Sequence, residues 1–149
     1  MSNKSHLTAM SRKTLSAPME WMNSQELFCD VPPRLRLDYG CGRGKDADLL
    51  EFVKYDPFYF PHFPTEKFEL ITCNYVLNTL PDEAERQKVL DTIMELLVPQ
   101  GEAYISVRAD KKNLNGYTRK GTYQTFIELS APWRLIESTS SYHLYTRSK

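Results

Sequence analysis

Three glycines at alternate positions, Gly40, Gly42 and Gly44, constrain this chain more than any other part of its sequence. Glycine adopts backbone conformations that other residues avoid, and it leaves no side chain between the backbone and a ligand. An apolar run over residues 31–37 predicts a buried strand that enters Asp38, and a helix-like pattern follows the glycines. A strand, a glycine-rich turn and a helix start are typical of α/β folds in which the turn binds a ligand.

Two features of this stretch restrict which ligand it binds. In the dinucleotide fingerprint G-x-G-x-x-G the third glycine comes three residues after the second. Here it comes two residues after the second, and Lys45 stands at the next position. Asp38 would repel a pyrophosphate, but a carboxylate suits a ligand that carries an ammonium and a sulfonium group. We expect the N–H groups of the glycine turn to bind that ligand's own carboxylate; S-adenosylmethionine has this pattern of charges.

The string Asp38-x-Gly40-x-Gly42-x-Gly44 resembles motif I of the class I S-adenosylmethionine-dependent methyltransferases. The resemblance extends over roughly residues 34–108. It implies that S-adenosylmethionine is the cofactor and that the α/β fold is a three-layer αβα sandwich of the Rossmann-like methyltransferase type. The sheet would be mostly parallel, with antiparallel strands at the C-terminus.

A second acid supports the resemblance. The segment Val53-Lys-Tyr-Asp56 predicts a second strand that ends in a carboxylate. Asp56 stands 18 residues after Asp38, and an acid about that far along, at a second strand end, is placed to accept hydrogen bonds from both ribose hydroxyls. The resemblance implies the same role for Asp56. Tyr39 and Pro57, which stand next to the two acids, complete the predicted cofactor site together with the glycines.

The segment between the second predicted strand and the next one is unusually short. It comprises only residues 57–67 and contains three prolines, whereas a parallel connection with its helix needs a dozen residues or more. The third strand and its helix are therefore predicted to be absent, so that the fold is reduced between strand 2 and strand 4. The aromatic side chains of this segment are candidates for a wall beside the adenine, or else for core and sheet-edge packing: Phe58, Tyr59, Phe60 and Phe63.

Candidates for holding the methyl acceptor follow later strands. The predicted strand 68–76 ends at the edge where open parallel sheets bind their ligands. Asn74, Tyr75 and Asn78 are therefore predicted to face the methyl-transfer site, and Asn74 and Tyr75 are also candidates for the cofactor. Arg108 ends another predicted strand beside the same pocket. Because Tyr75 follows Asn74 directly, the Asp/Asn-Pro-Pro-aromatic pattern of amino-methyltransferases is not matched.

Helical and alternating patterns account for most of the remaining chain. Helices are predicted over residues 14–28 and from Pro81 to about Leu97. Strands are predicted over residues 103–108 and 122–129, followed by an antiparallel pair at 133–138 and 142–146.

The N-terminal segment is predicted to cover the site. Residues 1–28 form a helical cap segment of a single domain, residues 1–149. Their likeness to the leader of some methyltransferases implies that the segment lies over the cofactor or substrate mouth, with Arg12 and Ser16 as contacts. A helix that only packs, with Arg12 in solvent, is the alternative.

A basic loop follows Arg108. From Arg108 to Lys120 the chain has five basic side chains and one acidic side chain. At the mouth of the site such a loop could bind the phosphates of a nucleic acid, with a solvated lid as the alternative. Tyr117 and Tyr123 flank the loop and could stack on a base.

Composition restricts the class of protein further. Basic and acidic side chains number nineteen each, so the net charge gives no argument for or against nucleic acid. The sequence contains no run of about 18 apolar residues, so no membrane span is predicted. Three cysteines, without C-x-x-C spacing, predict free thiols in a reducing cytoplasm. No His and Cys spacing predicts a metal site.

We therefore predict a cytoplasmic S-adenosylmethionine-dependent methyltransferase that acts on a nucleic acid, a nucleotide or a small molecule. Two alternatives stay open. A non-catalytic S-adenosylmethionine-binding module, used for sensing, sequestering or scaffolding, is favoured by the short segment 57–67. A nicotinamide-dependent reductase is disfavoured by Asp38 and by the glycine spacing.

Overall fold

The computed structural model describes residues 4–113 and 115–149. Its strands are β1 (Arg36–Tyr39), β2 (Val53–Tyr55), β3 (Phe68–Asn74), β4 (Leu97–Arg108), β5 (Asn115–Tyr117), β6 (Tyr123–Thr125), β7 (Arg134–Ser138) and β8 (Tyr142–Ser148). Its helices are α1 (Ala17–Ser24), α2 (Lys45–Leu50) and α3 (Glu83–Leu96), with short 3₁₀ turns at Ser5–Thr8, Pro33–Leu35 and Leu77–Thr79. None of the described helices is long and apolar enough to cross a membrane.

The main sheet has the predicted topology. Its six strands follow the order β2-β1-β3-β4-β8-β7. The first four strands are parallel to one another. Strand β8 is antiparallel to β4, and β7 is antiparallel to β8. Between β2 and β3 the chain makes only an isolated bridge between Asp56 and Phe60. The predicted absence of a third strand and its helix is therefore confirmed, and β2 lies at the edge of the sheet.

Helices cover both faces of this sheet, which confirms the three layers. Neighbouring residues of one strand point to opposite faces. On β3, Ile71 belongs to the buried cluster that contains Ile93 of α3. Leu70 belongs to the opposite cluster, which contains Met19 of α1 and Ala47 of α2. The glycine turn between β1 and α2 is thus held between a buried strand and a packed helix.

The N-terminal elements are shorter than predicted. The first strand begins at Arg36 because Pro32 and Pro33 have no N–H group to donate to a sheet ladder. The first helix spans Ala17–Ser24 where the pattern predicted 14–28. It ends early because Glu26 adopts the left-handed conformation, with φ of 60°.

The C-terminal part differs in one region. The strand predicted over 122–129 is wrong in length, since β6 has only three residues. It pairs with β5, which lies inside the segment predicted to be a loop, and the two strands form a separate hairpin. The antiparallel pair predicted at 133–138 and 142–146 is confirmed as β7 and β8.

Arg36 ties the start of the sheet to its surroundings. Its guanidinium group donates hydrogen bonds to the carbonyl oxygens of Phe28, Val31 and Leu50, at 2.8, 2.8 and 2.9 Å. The same group lies 5.7 Å from the centre of the Phe52 ring. One side chain thus joins the segment before β1 to the segment after α2.

Arg36→Lys is expected to destabilise the fold by about 2 kcal/mol or more, because one ammonium cannot reproduce three bonds from a planar fork and leaves carbonyl groups unpaired. Urea denaturation measures the loss. Arg34→Lys is the matched control, since Arg34 is exposed on the neighbouring 3₁₀ turn. Its free energy of unfolding should change by less than about 0.5 kcal/mol. Equal losses in the two variants would contradict this role of Arg36.

Candidate functional site

A cleft of about 430 Å³ lies at the carboxyl ends of β1, β2 and β3. It is lined by every residue that the sequence predicted for the cofactor: Asp38, Tyr39, Gly40, Gly42, Gly44, Asp56, Pro57, Asn74 and Tyr75. Residues of the N-terminal segment close one side of it, among them Arg12 and Ser16. The structure thus brings together residues from five separate parts of the chain.

The N–H groups of the glycine turn are already used by the chain itself. Those of Gly40 and Cys41 donate to the carbonyl oxygen of Tyr55, at 2.8 and 3.0 Å. That of Gly42 donates to Oδ1 of Asp56 at 2.9 Å. We expected these groups to bind the carboxylate of the ligand, and for these three the expectation is wrong. Their bonds hold the turn against the end of β2.

The glycines are needed for the conformation of the turn and for its close packing. Gly40 has φ of 76°, and a Cβ atom on it would lie 2.5 Å from Cγ2 of Val76. Gly44 has φ of 82°, and a Cβ atom there would lie 2.8 Å from Cδ of Lys54. Any other residue would strain the backbone and push these neighbours away.

The Asp56 carboxylate connects the glycine turn to the segment after β2. One oxygen accepts from Gly42, and the other accepts from the N–H groups of Phe58 and Tyr59, both at 3.0 Å. A carboxylate offers about four acceptor positions. Three are thus occupied, which leaves one for a ligand. The residue was predicted to bind both ribose hydroxyls; the geometry has room for one such bond.

Asp38 is a buried acid at the end of β1. It is 3% exposed, and Oδ1 accepts a hydrogen bond of 2.9 Å from Thr72. Burial raises the pKa of Asp38 to about 8, and the negative charges of Asp46 and Asp56 act in the same direction. A cation bound in the cleft would relieve this cost, because it favours the ionised form.

Two residues at the end of β3 face the cleft in fixed orientations. Tyr75 has φ of 60°, a conformation that bulky residues rarely adopt, and its N–H group donates to the carbonyl oxygen of Ser106 at 2.9 Å. Burial raises the pKa of Tyr75 to about 12. Oδ1 of Asn74 accepts from Oγ of Ser106 at 2.7 Å. Nδ2 of Asn74 is buried without a partner, so a donor is left over in the cleft wall.

Asn78 and Arg108 were predicted to face the methyl-transfer site, but they are not among the residues that line the cleft. Asn78 is 2% exposed. Its Nδ2 donates to Oε1 of Gln124 at 2.9 Å, and its Oδ1 accepts from the N–H group of Arg108. The Arg108 side chain pairs with Asp110. Asn78 thus connects β4 to β6.

Sequence reasoning missed Asp46 as an anchor of the N-terminal segment. Its carboxylate accepts from the N–H group and from Oγ of Ser16, at 2.7 and 2.6 Å. Ser16 stands at the start of α1, so the bond pair fixes α1 beside the glycine turn. An acid two residues after the last glycine was the available signal, but nothing in the sequence named its partner 30 positions away.

Sequence reasoning also missed His6, which lies against the aromatic segment. Its ring stacks on Phe58 with centroids 4.0 Å apart and planes 11° apart. Tyr59 donates from its hydroxyl to the carbonyl oxygen of His6 at 3.4 Å. Phe58 is the one of the four predicted wall aromatics that lines the cleft. Phe63 instead packs edge-on against Tyr55.

Positive side chains lie on the same cleft. Arg12, Arg43 and Lys45 all line it. The Arg43 guanidinium lies 5.7 Å from the centre of the Tyr59 ring. Arg12 has no salt bridge to any residue in 4–113 or 115–149, and its charge acts on the neighbouring Tyr75 phenol. Apart from a weak bond of 3.9 Å to Sδ of Met10, the Arg12 guanidinium is available to an anion, and the acids of the cleft are available to a cation.

Comparison with known proteins identifies similar folds. The profile of a family described as "Methyltransferase domain" matches residues 21–144. No curated protein matches the chain. Among solved structures, the N-methyltransferase NodS from Bradyrhizobium japonicum WM9 in complex with S-adenosyl-L-homocysteine is 15% identical over 97% of this chain and 96% of that one, with a TM-score of 0.58.

Two further structures have a similar fold. The 1,6-didemethyltoxoflavin-N1-methyltransferase of Burkholderia thailandensis is 16% identical over 93% of each chain, with a TM-score of 0.55. An S-adenosylmethionine-dependent methyltransferase from Mesorhizobium loti is 10% identical over 88% of this chain and 98% of that one, with a TM-score of 0.54. At these identities the likeness concerns the fold.

Gly40→Ala is expected to cost more stability than Gly121→Ala, although both glycines have nearly the same φ, 76° and 79°. The backbone strain of about 1–2 kcal/mol is common to both. The Cβ atom of an alanine at position 40 would also lie 2.5 Å from Cγ2 of Val76. At position 121 the nearest atom to such a Cβ is Nζ of Lys4, at 3.5 Å. Thermal and urea denaturation measure the difference. Equal losses would contradict the close packing of the turn.

Asp38→Asn is expected to remove a pH dependence of stability. In the folded chain the pKa of Asp38 is about 8, against an ordinary value of 3.8. The folded state therefore keeps a proton that the unfolded state loses, so the stability from this group is complete below about pH 4 and is lost as pH rises through about 8. The asparagine does not titrate and can keep the Thr72 bond.

Urea denaturation at several pH values within that window measures this effect. Wild type should lose stability relative to Asp38→Asn as pH rises. Asp30→Asn, at an exposed acid, is the control and should follow wild type. Parallel curves for wild type and Asp38→Asn would show that Asp38 has an ordinary pKa.

Proposed function

The chain belongs to the methyltransferase-domain family, and on that premise we propose that it transfers the methyl group of S-adenosylmethionine to an acceptor at the mouth of the cleft. The observation that carries this proposal is the buried Asp38 carboxyl group at the end of β1, beside the glycine turn. A buried acid whose pKa is raised to about 8 favours a ligand that brings its own positive charge.

Asp38 would bind the ammonium group of the cofactor. Thr72 fixes one of its oxygens and leaves acceptor positions for a ligand donor. At neutral pH, below its pKa, the empty site would hold Asp38 mostly protonated. Because an adjacent ammonium favours the carboxylate, binding should release a proton from Asp38.

Arg12 would bind the carboxylate of the same ligand. The N–H groups of the glycine turn that we expected for this role are bonded to Tyr55 and Asp56. Arg12 lines the cleft and forms no salt bridge with another described residue. Its planar fork suits a carboxylate, and it makes charge-assisted bonds that are stronger than neutral ones. This assigns a binding role to the N-terminal segment.

Asp56 and the aromatic segment would hold the nucleoside. The free acceptor position of Asp56 fits one ribose hydroxyl. Pro57 and Phe58 line the adjacent part of the cleft, and His6, which also lines it, stacks on Phe58. These rings give the adenine an apolar surface, in place of the missing third strand and its helix.

Bound S-adenosylmethionine supplies an activated methyl group on a positively charged sulfur. The chain then has to position the acceptor, and orientation alone contributes a large part of such a rate increase. Asn74 and Tyr75, which line the cleft at the end of β3, would serve that purpose. Asn78 and Arg108 contribute by holding the neighbouring strand and hairpin in place. Neither NodS nor the Burkholderia enzyme, both N-methyltransferases by name, assigns an acceptor to this chain.

Calorimetry with S-adenosylmethionine, S-adenosylhomocysteine and NAD tests the binding. Both sulfur ligands should bind and NAD should not. Arg12→Gln should weaken S-adenosylmethionine binding by about tenfold or more, the cost of losing a bond between charged groups. Lys13→Gln, at the exposed neighbouring residue, should bind like wild type. Wild-type affinity in Arg12→Gln would place the ligand carboxylate elsewhere, and binding of NAD alone would reject the proposal.

Transfer of a tritiated methyl group tests the reaction. S-adenosylmethionine labelled on the methyl group is incubated with the protein and with nucleic-acid, protein and small-molecule fractions of a cell extract. Label should enter one fraction with wild type and much less with Asp38→Asn. Tight binding without transfer into any fraction would instead indicate a non-catalytic binding module.

A further inference from the structure

A charged and aromatic surface stands beside the cleft, on the hairpin formed by β5 and β6. The segment 108–120 has five basic and one acidic side chains. Because acidic and basic residues cancel over the whole chain, its net charge of +4 is balanced by −4 elsewhere. Segment 108–120, which leads into the hairpin and includes its turn, is thus opposite in charge to the rest of the molecule, and this asymmetry favours a polyanion.

Four of these cations are exposed and form no ion pair with a described residue; Lys112 also lies 5.9 Å from the centre of the Phe126 ring. Arg108 is paired with Asp110. The other four are exposed and form no salt bridge with any residue in the described ranges: Lys111, Lys112, Arg119 and Lys120.

The hairpin also presents an aromatic ring to solvent. Tyr117 is 73% exposed. It packs edge-on against Tyr123 with ring centroids 5.3 Å apart, so the ring is supported while one face stays open. Exposed aromatic rings next to lysine and arginine are the surfaces on which unpaired bases stack while their phosphates are neutralised.

Hydrogen bonds hold this surface in a fixed shape. At the turn, the N–H group of Thr118 donates to the carbonyl oxygen of Thr122 at 2.7 Å, and Gly121 donates to Thr118 at 3.0 Å. Gln124 of β6 accepts from the buried Asn78. The turn residues are polar, so the hairpin offers no apolar side chain at its tip for insertion into a bilayer.

The hairpin lies next to the mouth of the cleft. A Cβ atom on Gly121 would be 3.5 Å from Lys4 Nζ, and the two residues after Lys4, Ser5 and His6, line the cleft. A strand bound along the hairpin would therefore pass beside the site proposed for the methyl donor.

We propose that the β5–β6 hairpin and the adjoining Lys111 and Lys112 bind single-stranded nucleic acid, with a base on Tyr117 and phosphates on the four exposed cations, and that this surface presents the strand to the cleft. The presentation rests on the proposed methyl transfer; the binding does not. It gives Asn78 a positioning role, since its bond to Gln124 sets the hairpin relative to the cleft.

Fluorescence anisotropy with a labelled oligonucleotide of about 12 nucleotides tests the binding without any cofactor. Wild type should bind, and log K should fall with log salt concentration with a slope of about −3 for four phosphate contacts on a single strand. Arg119→Gln with Lys120→Gln should weaken binding and reduce that slope by about 1.4. Arg34→Gln with Lys88→Gln, a matched pair of exposed cations elsewhere, should bind like wild type.

Tyr117 separates base recognition from simple charge attraction. Tyr117→Ala should weaken binding by about 5- to 150-fold, whereas Tyr117→Phe should keep it. The salt slope should be the same in both. If heparin, which has no bases, binds as tightly as the oligonucleotide, or if Tyr117→Ala binds like wild type, the hairpin is only a polyanion site and the proposal falls. Equal affinity for duplex of the same length, binding only to anionic vesicles, or no binding would also overturn it.

Methylation assays separate this inference from the proposed function. Transfer of label from S-adenosylmethionine into the oligonucleotide, lost in Tyr117→Ala, supports both. If the oligonucleotide binds but takes no label, the presentation to the cleft is wrong while the docking site stands. If S-adenosylmethionine binds and label enters another fraction but no oligonucleotide binds, the proposed function stands and the hairpin inference is rejected.

Discussion

The carboxylate of Asp56 is the contact on which the rest of the site depends. It accepts three backbone N–H groups, one from the glycine turn at Gly42 and two from the segment after β2, at Phe58 and Tyr59. Bonds of this kind to a carboxylate are stronger than bonds between neutral groups. The two loops that line the cleft after β1 and β2 are therefore connected through one side chain. Their spacing is fixed before any ligand arrives, which lowers the cost of ordering the site on binding.

In the empty cleft, burial and neighbouring negative charges make the ionised form of an acidic side chain unfavourable. Burial raises the pKa of Asp38 to about 8, and the nearby charges of Asp46 and Asp56 add to this effect. Both carboxylate oxygens of Asp46 accept hydrogen bonds from Ser16, and those of Asp56 accept hydrogen bonds from backbone N–H groups. Asp38 is thus the acid with the most capacity left for a ligand cation. Asp46 and Asp56 thus use most of their acceptor capacity to hold the chain together, whereas Asp38 keeps most of its capacity for the proposed ligand.

Much of this arrangement could be predicted from the sequence, because it depends on order along the chain. The glycine spacing, the acid that ends β2 and the short segment 57–67 are local signals, and all three led to the fold and to the cleft residues. Contacts between distant positions could not be predicted. Nothing in the sequence shows that the Gly42 N–H group bonds to Asp56, that Asp46 pairs with Ser16, or that Asn78 points away from the cleft. The short length of β6 could not be predicted for the same reason, since its pairing with β5 sets that length.

The absence of a third strand leaves β2 with a free edge, and an open edge is a place where another chain can add a strand. Here the risk is limited by geometry, since β2 contains only three residues. The chain turns back at once, with Phe60 bridged to Asp56 and two further prolines, Pro61 and Pro64, following. Proline cannot donate to a growing ladder. The segment that shortened the fold thus also protects its border against intermolecular sheet growth.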